Sequence, residues 1–348
     1  MLTPAEIKSR EHLRKIKPRV YDKCLQFTDQ LKKGKSIALI QLQYKYLCNF
    51  HCSHCAISSF RTRTGSNRRL DIPTVQRVYD EADEYGLAHT GISGGEPLVF
   101  KDLELLIKAI GPDRFHIQLD TNGWLFTPRI AKHMKSLGID KVQISIDGLD
   151  AKEHDDFRNK PGSHKRCMES IDATINAGLA VQVATVVGHE RAKSKEFEDF
   201  MKLMYSLKAP VSLVFAKPVG EYTGRQDLMC TPEDMRHVEE LLKQYGGYDH
   251  IAIGYDLDLG CIAVKRCASI TAFGDVLPCP WMYMSLGNVF DSPLADILNK
   301  GMKYFSDYSP VCRLSESPEF GEKYLYKIRG DDLLPIEDIM GGVDDINR

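Results

Sequence analysis

Two adjoining segments decide how this chain is interpreted: Ser36-Ile-Ala-Leu-Ile-Gln-Leu-Gln43, and then Cys48-Asn-Phe-His-Cys52-Ser-His-Cys55. The first segment is rich in branched apolar residues and predicts a buried β-strand. The second segment places three cysteines within eight residues, directly after that strand. Clustered thiols in a reducing compartment favour a metal site, because thiolate is a preferred soft ligand.

Outward from these segments, apolar strand patterns alternate with amphipathic helical patterns as far as residue 246. Further strands are predicted at 88–93, 115–120, 141–147, 179–187 and 211–216, and helices at 72–85, 103–110, 128–137, 165–177, 194–207 and 232–245. Such alternation is typical of βα units with a parallel sheet and right-handed crossovers. Six units are too few for a closed eight-stranded barrel, so an open partial barrel or a doubly wound sheet is expected. In both α/β folds, functional side chains collect where the strands end.

The pattern divides the chain into three parts. Residues 1–36 predict a helical extension, residues 37–246 the βα units, and residues 247–348 a smaller second domain in which long helical periodicity fades. The acidic tail, residues 330–348, is expected to be loosely held.

Composition excludes several classes of protein. Of the 348 residues, 43% are hydrophobic and 27% are charged, which are the values of a globular rather than a disordered chain. The 46 Lys and Arg residues nearly balance the 48 Asp and Glu residues, so no basic surplus favours nucleic acid. No apolar run is long enough for a membrane span, and the first residues lack the apolar block of a signal peptide. We therefore expect a cytoplasmic protein without a membrane partner.

The spacing of the first three cysteines favours an iron–sulfur cluster over zinc. Thiolates of Cys48, Cys52 and Cys55 can reach three corners of a [4Fe–4S] cubane, which leaves one iron open for another ligand. A structural zinc site with His51 or His54 as the fourth ligand is the alternative, besides coincidence. Zinc motifs favour paired C-x2-C units, which the x3 and x2 spacing here does not provide.

At this point a family resemblance becomes visible. Cys48-x3-Cys52-x2-Cys55 resembles the signature of the radical S-adenosylmethionine (SAM) superfamily, and Gly94-Gly95-Glu96-Pro97 looks like its second motif. The order of the βα units is similar to the partial (β/α)6 TIM-like barrel of that superfamily, over residues 37–220. The resemblance implies that the open iron chelates the amino and carboxylate groups of SAM. One electron then cleaves SAM to a 5′-deoxyadenosyl radical, which takes a hydrogen atom from the substrate.

The resemblance also implies roles for individual residues. Glu96, in the turn formed with Gly94, Gly95 and Pro97, would bind the methionyl amino group of SAM. Further contacts to SAM would come from Thr121 and Asn122 at a strand end, from Ser145 and Asp147 to the ribose, from Arg158 to the carboxylate, and from His54 and Phe50 over the cluster or adenine. For these weaker candidates, strand-end capping, a surface ion pair or ordinary packing are the alternatives.

Four cysteines in the second domain predict a further metal site. Cys261, Cys267 and Cys279 surround a hairpin whose turn is Gly274-Asp275, and Cys312 follows a helix predicted at 293–300. This arrangement resembles the SPASM and twitch extensions of the superfamily, which hold auxiliary iron–sulfur clusters. Four cysteines suit one auxiliary [4Fe–4S] cluster rather than two, with the last ligand open between Cys312 and a substrate. A zinc site with four cysteines is the alternative.

The three remaining cysteines lie alone in the sequence. Cys230 follows the last predicted strand of the barrel, where a thiol could return a hydrogen atom to a substrate radical, or could be a buried small side chain. Cys24 and Cys167 fall on predicted helices and are expected to be packing residues.

The resemblance leaves the substrate open. The leading hypothesis is an oxidoreductase that modifies a ribosomally made peptide by cross-linking, thioether formation or epimerisation, with flavodoxin or ferredoxin as reductant. The second hypothesis is a dehydrogenase or epimerase of a sugar-like or cyclitol-like small molecule. The third is a non-catalytic iron–sulfur electron carrier.

Overall fold

A computed structural model describes residues 4–63, 67–249, 258–325 and 333–343. Its helices are α1 (Pro4–Ile16), α2 (Pro18–Leu25), α3 (Phe27–Lys32), α4 (Ser58–Thr62), α5 (Ile72–Tyr85), α6 (Leu103–Ile110), α7 (Pro128–Ser136), α8 (Ala151–Arg158), α9 (Ser163–Asn176), α10 (His189–Ala192), α11 (Lys195–Ser206), α12 (Pro232–Tyr245), α13 (Leu294–Tyr304), α14 (Pro318–Lys323) and α15 (Ile336–Met340). Its strands are β1 (Leu39–Lys45), β2 (His89–Gly94), β3 (His116–Thr121), β4 (Lys141–Ser145), β5 (Ala180–Val187), β6 (Val211–Phe215), β7 (Tyr248–Asp249), β8 (Cys267–Ile270), β9 (Asp275–Leu277), β10 (Met284–Ser285), β11 (Gly287–Asn288) and β12 (Leu334–Pro335).

The centre of the molecule is a parallel sheet in which β1 to β6 follow one another in sequence order. Sequential order without a reversal is the arrangement of a barrel rather than a doubly wound sheet. The fold is thus the partial (β/α)6 TIM-like barrel that the resemblance implied. All six strands end at the same edge, so the loops that follow them form one face.

Local sequence signals explain where the helices of the barrel begin and end. The Asp71 side chain accepts a hydrogen bond from the Thr74 backbone at the start of α5, and Gly86 ends that helix in the left-handed conformation. Thr231 and Asp234 form a reciprocal capping box at the start of α12. Both helices therefore have the bounds that the sequence predicts.

The chain after the barrel returns to its first strand. Strand β8 pairs in parallel with β1, and β9 pairs antiparallel with β8 across the turn at Gly274. The hairpin expected from Gly274-Asp275 is confirmed, and it extends the barrel sheet beyond β1. This places the cysteine-rich segment beside the strand that precedes Cys48.

Two parts of the structure differ from expectation. Helix α8 was not predicted, because it is short and mostly polar. The expectation of a loosely held tail is wrong for residues 333–343, where Ile336 and Ile339 are buried in the main core in spite of the acidic residues around them. The tail residues at 330–332 and 344–348 lie outside the described part of the chain.

Two further predictions concern the domain boundaries and the lack of a membrane span. The division at residues 36/37 and 246/247 stays a prediction. Within the described ranges, no helix has both the length and the apolar character needed to cross a membrane.

Candidate active site

A cavity of about 260 Å³ opens where the barrel strands end. Residues from the cysteine loop, from the ends of β2 to β6 and from the second domain line it. The predicted site residues among them are Cys48, Cys52, His54, Cys55, Gly94, Gly95, Glu96, Asn122, Ser145, Asp147 and Arg158. The structure thus brings to one cavity residues that are spread over more than a hundred positions of the sequence.

The cysteine loop presents three thiols to this cavity. Cys48, Cys52 and Cys55 are free and half-buried, and the Phe50 backbone N–H lies 3.4 Å from the Cys48 sulfur. Burial raises the pKa of Cys48 and raises that of Cys52 to about 11, although Arg158 opposes the shift at Cys52. Since a metal-bound thiol is deprotonated, metal binding at this loop must release protons.

The arrangement of ligands fits a cluster better than a single ion. In the ranges that the structure covers, no three His, Cys, Asp or Glu side chains meet around one ion-sized position. Structural zinc requires such convergence, with thiolate sulfurs about 2.3 Å from one metal. A cubane spreads its ligands over separate iron atoms, so three thiols lining one cavity suit it.

Helix α8 holds the cysteine loop in place. The Phe157 carbonyl accepts hydrogen bonds from the Ser53 backbone at 3.2 Å and from the Ser53 hydroxyl at 2.8 Å. The Asn159 side-chain amide donates to the His51 carbonyl at 2.9 Å. These contacts fix a loop that has no regular structure of its own.

The turn at Gly94-Gly95-Glu96-Pro97 packs directly against the chain that leads into the cysteine loop. The Gly95 and Glu96 backbone N–H groups donate to the Lys45 and Leu47 carbonyls at 2.8 and 2.9 Å. A Cβ at Gly94 would lie 2.4 Å from the Lys45 oxygen, and one at Gly95 would lie 2.0 Å from the Leu47 oxygen. The two glycines are therefore required by backbone packing. Pro97 is buried and begins a short 3-10 turn.

Glu96 is a buried carboxylate at the wall of the cavity. It accepts hydrogen bonds from the Thr121 hydroxyl at 2.8 Å, the Asn122 backbone at 2.7 Å and the Leu98 backbone at 3.2 Å. Burial raises its pKa to about 7, while these donors oppose the shift. The donors fix the carboxylate in one orientation, which suits recognition of a cationic group.

Asn122 links the strand ends to the cysteine loop. Its side-chain amide donates to the Asn49 side chain at 2.8 Å, and its own oxygen accepts from the Trp124 backbone at 3.1 Å. Ser145, at the end of β4, lines the cavity. Thr121 and Asn122 were predicted from their strand-end position, whereas Asn49 was not singled out.

Asp147 and Arg158 form a buried ion pair with each other. Asp147 accepts from the Arg158 Nε at 2.8 Å and Nη2 at 2.5 Å, and from the Val186 backbone at 2.7 Å. Burial would raise the pKa of Asp147, but the Arg158 guanidinium and other neighbours hold it well below its ordinary range. The two residues are therefore partnered within the protein, although both also line the cavity.

We expect Arg158→Met to lower the free energy of unfolding by about 3–5 kcal/mol, because it leaves the Asp147 charge buried without its partner. The double variant Asp147→Asn with Arg158→Met is expected to recover part of that loss. Urea unfolding of the apoprotein, followed by circular dichroism, measures both. Arg225→Met removes one side of the exposed Arg225–Asp227 pair and is the control, with a much smaller loss than Arg158→Met because water screens an exposed pair. An equal loss in the control and in Arg158→Met would contradict the prediction.

His54 lies flat against a neighbouring ring inside the cysteine loop. Its ring stacks on Phe157 with the centroids 4.3 Å apart, and its Nε2 lies 3.6 Å from Asp147. Its Nδ1 is buried without a hydrogen-bond partner among the described residues. Burial lowers its pKa to about 4, so the neutral ring faces the cavity. Phe50 is also buried and lines the cavity.

A second cavity lies next to the first and contains the C-terminal cysteines. Cys261, Cys279 and Cys312 line it, and burial raises the pKa of Cys279 well above its ordinary value, with the Cys267, Cys261 and Cys312 thiols adding to the shift. Cys267 is buried at the start of β8 and does not line this cavity. Three thiols thus line one cavity, and Cys267 is close enough to Cys279 to affect the pKa of that thiol.

Two residues that sequence reasoning missed connect the cavities. Trp281 lines both of them. Lys217 follows β6, lines the first cavity, and places its Nζ 3.4 Å from the Cys312 sulfur and 2.5 Å from the Ser315 hydroxyl. Trp281 lies two positions after Cys279, so the sequence could have suggested it as part of the site. No motif in the sequence marks Lys217.

The other cysteines do not line either cavity. Cys230 is buried, places its sulfur 3.4 Å from the Val187 carbonyl, and does not line the first cavity. Burial raises its pKa to about 12. Its position favours packing over hydrogen-atom donation, a role that stays untested. Cys24 and Cys167 are buried on helices, as expected for packing residues.

The fold and the paired cavities define a class of protein that family models recognise. The model of the radical SAM superfamily matches residues 44–204, and that of the SPASM iron–sulfur cluster-binding domain matches residues 261–314. The chain carries a radical SAM domain followed by a SPASM iron–sulfur cluster-binding domain. Its cofactors are a [4Fe–4S] cluster, SAM and an auxiliary iron–sulfur cluster.

Curated relatives carry out different reactions. Over 292 residues the chain is 25% identical to the AdoMet-dependent heme synthase of Nitratidesulfovibrio vulgaris, covering 75% of this chain and 78% of that protein. Over 270 residues it is 26% identical to the mycofactocin maturase MftC of Mycolicibacterium smegmatis, covering 73% and 67%.

A solved structure has a similar fold. It is SuiB of Streptococcus suis bound to its precursor peptide SuiA, with a TM-score of 0.62, 16% identity, and coverage of 90% of this chain and 79% of that chain. The relatives and this structure leave the particular reaction of the chain undetermined.

Proposed function

We propose that this protein is a radical SAM oxidase that modifies a ribosomally made peptide. The observation that carries the proposal is that the two cavities adjoin each other. Trp281 lines both of them, and Lys217 lines the first cavity while its Nζ contacts Cys312 in the second. A substrate in the first cavity would lie next to the auxiliary cluster, which could take the electron left after hydrogen abstraction. The relatives that are named or shown as peptide-modifying proteins, MftC and SuiB with SuiA, support a peptide substrate.

In this proposal Cys48, Cys52 and Cys55 hold the cluster with the open iron. When bound, this cluster and SAM supply one-electron cleavage of a sulfonium C–S bond and an acceptor for a substrate hydrogen atom. Glu96 binds the methionyl ammonium of SAM, because it is a buried carboxylate held in one orientation by three donors. Asn122, Ser145 and His54 border the remainder of SAM.

Asp147 and Arg158 have a positioning role in the proposal. Their charges neutralise each other, so Arg158 is not free to balance the SAM carboxylate alone. Arg158 lies close enough to Cys52 to oppose the rise in the pKa of that thiol. Arg158 thereby favours the Cys52 thiolate, and Asp147 offsets part of that effect.

Cys261, Cys279 and Cys312 hold the auxiliary cluster, with Cys267 as the nearest further thiol. Among the described thiols, only those of the cysteine loop line the first cavity. Epimerisation needs a hydrogen-atom donor there, and Cys230 does not occupy that position. Oxidation needs none, so the geometry favours oxidation over epimerisation.

The test combines cofactor cleavage with the mass of the product. Anaerobically reconstituted protein with reductant is expected to convert SAM to 5′-deoxyadenosine. A peptide encoded beside its gene and co-expressed with it is expected to lose two hydrogens, as measured by exact mass. A product whose mass is unchanged in H2O, but which gains one deuterium in D2O, identifies an epimerase instead. Absence of SAM cleavage leaves only an electron carrier. Flavodoxin or ferredoxin is the proposed cellular reductant.

A further inference from the structure

A layer of polar side chains crosses the inside of the barrel below the proposed SAM site. Strand pairing places Gln43 beside Ser93, Asp120 beside Gln143, and Gln143 beside Gln182. The Ser93 side chain hydrogen-bonds to Asp120, which joins the two groups into one layer across β1 to β5. Barrel interiors are usually filled by branched apolar side chains, so a layer of amides and a carboxylate requires an explanation.

Asp120 lies at the centre of this layer. Its Oδ1 accepts from the side-chain amides of Gln118 at 2.7 Å and Gln143 at 3.2 Å, and its Oδ2 accepts from Gln41 at 3.3 Å. Asp120, Gln41, Gln43 and Ser93 also line the first cavity, so the carboxylate forms part of its surface. Amide donors surround Asp120 from the barrel side and leave it accessible from the cavity side.

Asp120 has no cation in direct contact with its carboxylate among the described residues, and Lys141 is the basic residue whose charge acts on it. Across the described residues, no Lys, Arg or His nitrogen lies within ion-pair distance of its carboxylate, and burial raises its pKa. The basic side chain in the network, Lys141, donates to Gln182 at 2.6 Å, and its charge opposes the rise in the pKa of Asp120 without an ion-pair contact. A desolvated carboxylate whose counter-charge is not in contact with it is costly, and a cationic ligand that makes that contact would gain affinity from it.

Among the other charged groups of the cavity, Arg61 donates to the Phe50 carbonyl at 3.0 Å. Asp147 and Arg158 neutralise each other, and Lys217 donates to Cys312 and Ser315. Glu96 also lacks an ion-pair partner in the described chain, but the proposed function assigns it to SAM. Asp120 is the unassigned carboxylate that remains for the substrate.

We propose that Asp120 anchors the substrate by binding a protonated amine or guanidinium group, with Gln41 and Gln43 completing the subsite. This inference rests on the proposed function, since it presumes a substrate beside SAM in the first cavity. For a peptide substrate, it predicts a lysine or arginine side chain close to the modified position. No proton or electron transfer is assigned to Asp120.

The test measures preference for a cation in the holoenzyme with both clusters oxidised and SAM bound. Isothermal titration with the N-acetyl methylamides of lysine, arginine and norleucine compares charged with neutral side chains. We expect the lysine or arginine probe to bind at least about tenfold more tightly than norleucine, and Asp120→Asn to remove that preference. Asp227→Asn, which changes an exposed carboxylate that does not line the cavity, is expected to retain the preference for a cation.

Two results overturn the inference. One is equal binding of charged and neutral probes by the unaltered enzyme. The other is an unchanged preference in both Asp120→Asn and Asp120→Ala with full iron content, which would make Asp120 a structural centre of the amide network. Cleavage of SAM to 5′-deoxyadenosine is measured on the same samples, so loss of cation preference is separable from failure of the proposed function.

Discussion

Replacing Cys48, Cys52 and Cys55 together by alanine is expected to abolish SAM cleavage and to remove about half of the bound iron. A protein with two cubanes binds about eight iron atoms, so about four should remain with the auxiliary cluster. The reason is local, since all three thiols lie in one loop and line one cavity. Iron and sulfide analysis, electron paramagnetic resonance and chromatography of 5′-deoxyadenosine measure the outcome.

The reciprocal variant separates the two clusters. Replacing Cys261, Cys279 and Cys312 by alanine should also leave about four iron atoms, now in the N-terminal loop. This variant is expected to retain SAM cleavage but to form no oxidised peptide, because the substrate electron has no acceptor. Cys24→Ala, in the N-terminal helical cluster, is the control. It should change neither the iron content nor the cleavage of SAM. Full iron content and full cleavage after loss of the first three thiols would disprove the cluster assignment.

The sequence predicted those parts of the site whose ligands are close together along the chain. Cys48, Cys52 and Cys55 are separated by two or three residues, so spacing alone limits what they can bind. The turn containing Glu96 was predicted because two glycines and a proline restrict the backbone whatever the rest of the fold does. The parallel sheet followed from the alternation of apolar patterns, whereas the barrel rather than a doubly wound sheet was implied by the family resemblance.

Contacts between distant segments were not predictable in the same way. Asp147 and Arg158 were both singled out, but as separate contacts to SAM, because helix α8 had not been recognised between the strand end and Arg158. Lys217 meets Cys312 across 95 positions, and nothing in the neighbourhood of either residue specifies the other. The buried tail residues Ile336 and Ile339 were missed because the acidic residues around them led to the prediction of a loosely held tail.

Asp120 illustrates a different limit. The sequence places it on a strand, and alternation predicts that it shares a face with Gln118. Its proposed role depends on the register with Gln143 and on the absence of a contacting cation among the described residues, and both are properties of the assembled barrel. Functional side chains inside a barrel are therefore identified by layers across strands rather than by motifs along one strand.

Gly220→Ala is expected to lower SAM cleavage by about a hundredfold and to lower the iron content toward that of the auxiliary cluster alone. Gly220 lies in the loop after β6, and a Cβ there would lie 2.2 Å from the Cys55 carbonyl oxygen and 2.5 Å from that of Ala56. Both obstacles are backbone atoms of the cysteine loop, and the Glu221 backbone N–H holds the same Cys55 carbonyl at 3.1 Å. The loop must therefore move, and Cys55 moves with it. Iron analysis and the rate of 5′-deoxyadenosine formation measure the effect.

Gly224→Ala provides a control within the same loop. Gly224 has φ of +79° and Gly220 has φ of +59°, so alanine is strained at both, at about 1–2 kcal/mol, but a Cβ at Gly224 meets no atom within 4 Å. If backbone strain were the whole effect, the two variants would lose iron and activity equally. If the Gly220 loop positions Cys55 for iron, only Gly220→Ala loses the N-terminal cluster. Retention of about eight iron atoms by Gly220→Ala would show that Cys55 tolerates the displacement, since the ligand would still reach the cluster.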